Sequence, residues 1–221
     1  MSFKEAAALI SGIIVAIGTI WYLYLVVRNQ IKPVLASWIV MSGTVILSLV
    51  TYMTGPKHSL ISNITNVVSV GTILSITLVV GGLSFWRKEW VPFSVFQKRC
   101  LIVAAIIAIL WVVVKFRVFG IRGNAVVPNI LTQVLVVIGY IPLFKKLWSA
   151  PKNTESTFTW WCVLLSSVVG LIPAIIGLDP LAIIFALRSI LTTAIVVCLI
   201  DRLERKSRPE PKNIAEFLST L

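Results

Sequence analysis

Residues 180–200 read PLAIIFALRSILTTAIVVCLI, and Arg188 is the one charged side chain among them. A helix needs about 20 mainly apolar residues to cross a bilayer. At 1.5 Å per residue this run spans about 30 Å, the thickness of the hydrocarbon layer. Inside lipid every backbone N–H and C=O must find its partner within the protein, and a single segment achieves that only as a helix. The stretch therefore predicts a membrane-spanning helix with an arginine buried inside it.

Six more runs qualify, at roughly 6–27, 38–54, 60–85, 100–117, 125–144 and 158–177. Proline, glycine and charge separate them, as in Gly55-Pro56-Lys57 and Asp179-Pro180. The whole chain agrees with its parts. Of 221 residues 58% are apolar and 13% charged, with mean hydropathy +0.98. A soluble domain carries about 25% charge. The fold class expected is an all-α membrane protein of seven transmembrane helices. The first run lacks a strong basic n-region, with Lys4 beside Glu5, and no small-residue cleavage site follows it, so it is read as a helix of the mature protein and not as a signal peptide. Cys100, Cys162 and Cys198 fall in apolar runs without C-x-x-C spacing and read as small buried hydrophobes.

The chain is strongly basic, with 20 Lys and Arg against 8 Asp and Glu. Fourteen of the cations fall in one set of alternating segments, the loops after helices one, three and five and the tail, and five fall in the opposite set. Cytoplasmic loops carry the Lys/Arg excess. The N-terminus is thus expected outside and the C-terminus in the cytosol, in a plasma or inner membrane. The basic loops would meet anionic headgroups there, and no nucleic-acid partner is expected. Trp86 and Trp90, Trp148, and Trp160 with Trp161 stand where runs meet loops, as an interfacial belt requires. Residues 214–221 space their apolar side chains as a short amphipathic helix would.

An internal repeat is legible. Gly18-Thr19-Ile20-Trp21-Tyr22 precedes a basic loop and Trp38; Gly139-Tyr140-Ile141-Pro142 precedes a basic loop and Trp160. The glycine-to-tryptophan distances are 20 and 21 residues. With one odd helix between them, the two triplets keep the same orientation, as parallel repeats related by an axis along the membrane normal. The expected plan is two parallel three-helix bundles joined by a linker helix (3+1+3). It divides the chain into 1–86 (first repeat), 87–124 (cytosolic loop and linker helix), 125–200 (second repeat) and 201–221 (cytosolic tail).

This layout, together with Gly139 to Trp148 running on to Thr159-Trp160, resembles the SWEET sugar transporters and the wider PQ-loop family. That motif ends its first helix in Pro-Gln; here Leu143 follows Pro142, and Trp21 stands at the position of Pro142 in the first half. The resemblance implies a facilitator working by alternating access, with Pro142 as a hinge. It also implies a substrate held between polar residues of the third and seventh helices, commonly asparagines. Trp38 to Asn66 and Trp160 to Arg188 are both 28 residues, so Asn66 and Arg188 are expected at equivalent depths. An arginine in place of the second asparagine favours a solute with a carboxylate or phosphate, which a guanidinium grips in bidentate fashion.

Two readings of Arg188 stand level. An arginine at a helix centre costs about 2.5–3.5 kcal/mol on insertion scales and usually faces a bundle interior or wet cavity; it can also be structural, bonded to carbonyls or snorkelling. Asn129, Thr132 and Gln133 share one face of helix five, Ser62, Asn66, Ser69 and Thr72 one face of helix three, and Thr192 lies a turn beyond Arg188. Such groups also join membrane helices, at about 0.6 kcal/mol each. The substrate site expected comprises Asn66, Arg188, Gln133, Asn129, Thr192, Trp38 and Trp160. Asn63-Ile64-Thr65 matches a glycosylation sequon but reads as too deep in a helix for use. No Asp or Glu lies inside a run and the single histidine, His58, is in a short loop, which disfavours proton coupling. No nucleophile–base pair, metal-ligand cluster or phosphate-binding glycine loop is seen, so no enzyme, cofactor or metal is expected. The function expected is a uniporter of a small polar, anionic solute. The alternatives are a seven-helix ligand-binding receptor or sorting protein on the same scaffold, or an accessory membrane subunit. Homo-oligomerisation is left open.

Overall fold

The computed structural model describes residues 1–55, 59–87, 93–118 and 125–207. Seven helices lie in them: α1 (Phe3–Val27), α2 (Leu35–Met53), α3 (Ile64–Trp86), α4 (Val95–Val113), α5 (Val126–Ser149), α6 (Thr157–Ile176) and α7 (Pro180–Ser207). A π-helical turn, Val114–Val118, continues α4. All seven are long and apolar enough to cross a membrane, and no strand occurs among the described residues. Ile10, Ile13 and Ile17 on α1 and Ile102, Ile106 and Ile109 on α4 point outward and exposed. In water such stripes would be an aggregation liability; in lipid they are the solvated surface. The chain is an all-α, multi-pass membrane protein.

Local chemistry sets the helix ends. α1 and α4 open on capping boxes: Glu5 N donates to Ser2 Oγ and Ser2 N to Glu5 Oε2, and Ser94 and Gln97 repeat the exchange. α3 starts at Ile64, four residues later than its apolar run, because Ser59–Asn63 fold into a turn tied back by Asn63 N to Ser59 O at 3.0 Å. Asn63 therefore stands at the N-cap position of α3, without a side-chain capping bond, and does not lie within the helix, yet it is buried at 2% exposure. α5 and α7 outrun their apolar windows; Lys146, Arg205 and Lys206 in their last turns complement the helix dipoles. His58, Trp90 and residues 214–221 lie outside the described residues.

α3 packs against α1 and α2, and α7 against α5 and α6. The two groups meet along α1 with α6 and along α2 with α5, while α4 lies against α5 and the edge of α2. Both seams depend on a glycine. A Cβ on Gly18 would stand 2.6 Å from Cys162 Cβ, and one on Gly139 would stand 2.9 Å from Met41 Cγ. These are the two glycines from which the sequence spacing to Trp38 and Trp160 is counted. At the centre Trp38 and Trp160 stack across the seams, ring centroids 6.4 Å apart and planes 23° off parallel, over a core including Tyr22, Met41, Tyr140 and Leu147. Trp160 is 3% exposed, so it belongs to the core and not to an interfacial belt; its ring fills the seam between two helix groups. Trp86 at 85%, with Trp148 and Trp161, is exposed as a belt residue should be.

Candidate functional site

Between the helix groups lies a cavity of about 40 Å³, room for about three waters. Tyr22, Trp38, Tyr140 and Trp160 form its aromatic wall, and Ser69, Thr72 and Ser189 bring hydroxyls. Arg188 supplies the only charge in its lining. Its Nε donates to Gln133 Oε1 at 2.9 Å, and its guanidinium carbon lies 4.5 Å from the centre of the Phe185 ring. Gln133 is held in turn through Nε2 on Asn129 Oδ1 and Thr132 Oγ1, each at 3.3 Å. Arg188 Nη2 is buried with no hydrogen-bond partner. The ion pairs among the described residues are Lys146–Glu155 and Arg205–Asp201, so the arginine meets neutral groups only. A buried cation without a counter-charge is costly, and its free N–H is a donor for an anionic acceptor.

Of the residues expected from sequence, Trp38, Trp160 and Arg188 share this wall. Gln133 and Asn129 stand one and two bonds behind the arginine. Thr192 Oγ1 donates to the carbonyl of Arg188 at 3.0 Å, which anchors backbone and not solute. Asn66 lies outside the wall, its Nδ2 on Ser48 Oγ at 3.2 Å and its Oδ1 buried without a partner. It is the third residue of α3 and Arg188 the ninth of α7, while the two lie 20 and 19 residues before the helix ends at Trp86 and Ser207. Ser69 and Thr72, one and two turns further along, reach the cavity instead. Pro142 is buried inside α5, and a second proline, Pro173, lies inside α6.

Polar clusters close the protein at both ends. At the end carrying the loops after α1 and α5, Tyr22 donates to Glu155 Oε2 at 3.0 Å, and Lys146 Nζ lies 2.9 Å from Glu155 Oε1. Lys146 also donates to the carbonyl of Lys32. Only 1% of the Glu155 side chain is exposed. Burial pushes its pKa up, and the charge and hydrogen bonds of Lys146 pull against that rise. At the other end Tyr52 donates to Asp179 Oδ2 at 2.5 Å and receives Ser59 N at 2.7 Å. Asp179 also accepts Ala182 N at 3.1 Å, capping α7 ahead of Pro180. Both carboxylates fall between the apolar runs of the sequence. Their tyrosine partners, 133 and 127 residues away, leave no local signal.

No family model, curated protein or solved structure matches the chain.

Proposed function

We propose that the protein is a carrier for a small anionic solute, working by alternate opening of the two ends of its central cavity. The observation that carries this reading is Arg188: a buried guanidinium in the cavity wall, oriented by Gln133 and the Phe185 ring, with one nitrogen unpartnered. A carboxylate or phosphate group supplies the missing acceptor, and the Trp38–Trp160 pair covers an apolar body. A space of about 40 Å³ is too small for such a solute, so loading requires the groups to part at one end. Releasing Tyr22 and Lys146 from Glu155 would open one way, and releasing Tyr52 from Asp179 the other.

The helix pairing supports a two-fold plan of the SWEET/PQ-loop kind. Exchanging α1 with α5, α2 with α6 and α3 with α7 carries the α1–α3 pair into α5–α7, α2–α3 into α6–α7, and the α1–α6 seam into α5–α2. Gly18 and Gly139 exchange under the same operation. We assign the end rich in Lys and Arg to the cytosol.

The test is flux into liposomes holding the full chain, using labelled monocarboxylates, sugar phosphates and neutral sugars side by side. Saturable uptake of an anion, lost in Arg188→Gln with the thermal midpoint retained and partly kept in Arg188→Lys, is the expected result. Uptake of a neutral sugar unaffected by either change would sink the anion reading. Saturable binding without flux would make the chain a receptor.

A further inference from the structure

A second, larger hollow of about 550 Å³ opens at the basic end, where the α1–α2 loop, the end of α3 and the start of α4 converge. Three cations line it: Lys32 from the loop, Arg87 closing α3 and Lys146 from α5. Glu155 compensates Lys146. Lys32 and Arg87 have no carboxylate within 4.0 Å among the described residues. Arg87 Nη2 donates to the carbonyl of Val27 at 2.7 Å, which fixes the guanidinium at the rim and leaves its other N–H groups for a further acceptor. Gln97 uses its side-chain oxygen on Ser94 N, so its NH₂ end remains a donor. Below these groups Val80 and Leu83 make an apolar wall.

The position matters as much as the charge. Arg87 follows Trp86, which stands exposed at the helix end where indole rings meet lipid headgroups. Cations and amide donors thus gather at phosphate depth, and the apolar wall continues toward the hydrocarbon. We propose that this hollow binds a phosphate group, that of an anionic phospholipid whose glycerol and upper acyl chain lie along Val80 and Leu83. Free phosphate esters share the headgroup chemistry, and the test separates the two sources. The site is independent of any transport activity.

The experiment uses the full chain purified in neutral detergent. Phosphatidylglycerol or phosphatidylcholine is titrated in, and retained lipid is read by native mass spectrometry. Wild type should retain phosphatidylglycerol over phosphatidylcholine. The double variant Lys32→Gln with Arg87→Gln should bind it about 25-fold more weakly, at about five-fold per cation. Lys152→Gln with Lys206→Gln removes equal charge outside the hollow and should leave retention unchanged, and Arg87→Lys should keep most of it. In parallel, glycerol 3-phosphate and inorganic phosphate are tested by thermal shift. A shift confined to wild type and the control pair, with no lipid retained, would keep the site and make its ligand a soluble phosphate. Equal retention by the hollow and control variants overturns the proposal, because the attraction is then general surface charge. So does a wild type that melts cooperatively yet retains phosphatidylglycerol no better than phosphatidylcholine and shifts with neither soluble phosphate.

Discussion

Glu155 takes a carboxylate into a place where almost none of its side chain meets solvent, held by Tyr22 and Lys146. Burial raises its pKa, so the folded chain keeps this proton over a range of pH where the unfolded chain has lost it. Stability from this group is complete below the ordinary glutamate value and declines as pH rises through the raised one. Thermal midpoints measured in pH steps should drift down across that window in wild type and stay flat in Glu155→Gln; parallel slopes would refute the assignment. At the far end Tyr52→Phe removes the bond to Asp179 and strands Ser59 N. Hydrogen bonds to charged groups contribute about 1.5–3 kcal/mol, and a loss near the lower figure is expected from denaturant melts, as the contact is partly open to solvent. Arg188 could be singled out from sequence because a charge inside an apolar run stands out by itself. Glu155 could not, since a polar loop looks the same whether it lies in water or under a tyrosine from another helix.

Helices α1 and α5 cross their partners at glycines, and the crossings leave no room for a methyl group. Gly18→Ala and Gly139→Ala should each destabilise the protein by about 1–3 kcal/mol through overpacking. At Gly43 and Gly71 an added Cβ would meet nothing within 4 Å, so alanine there should be neutral or stabilise by up to about 1 kcal/mol. Comparing the four variants in one detergent checks this directly, and equal losses at all four would refute close approach as the cause. The spans themselves were legible because hydropathy integrates over some 20 residues and tolerates local noise. Helix starts were less so. Leu60–Asn63 reads as part of an apolar run, and only the hydrogen bonds back to Ser59 show that it turns instead. The late start of α3 leaves Asn66 in the first turn of its helix, bonded to Ser48 and outside the cavity lining.

Across the whole molecule, the seam between α1 and α6 is where the proposed rocking must take place. Ser11 and Ser166 touch there, hydroxyl to hydroxyl at 3.0 Å. In a background with Cys100, Cys162 and Cys198 replaced, the pair Ser11→Cys and Ser166→Cys should cross-link on oxidation and arrest flux, with recovery on reduction. Undiminished flux in fully cross-linked protein would place the motion elsewhere. The similar spacings in the two halves single out Trp38 and Trp160 in the sequence but do not say that their rings stack, because helix order around an axis is not written in a linear pattern. The unpaired arginine has an electrical consequence as well. Moving one charge through a membrane potential of 100 mV changes its energy by about 2.3 kcal/mol, and a bound monoanion cancels that charge. A carrier built around Arg188 would therefore be electrically silent when loaded and driven by voltage when unloaded. The membrane potential would then govern how fast the transporter resets, making exchange of one anion for another quicker than net uptake.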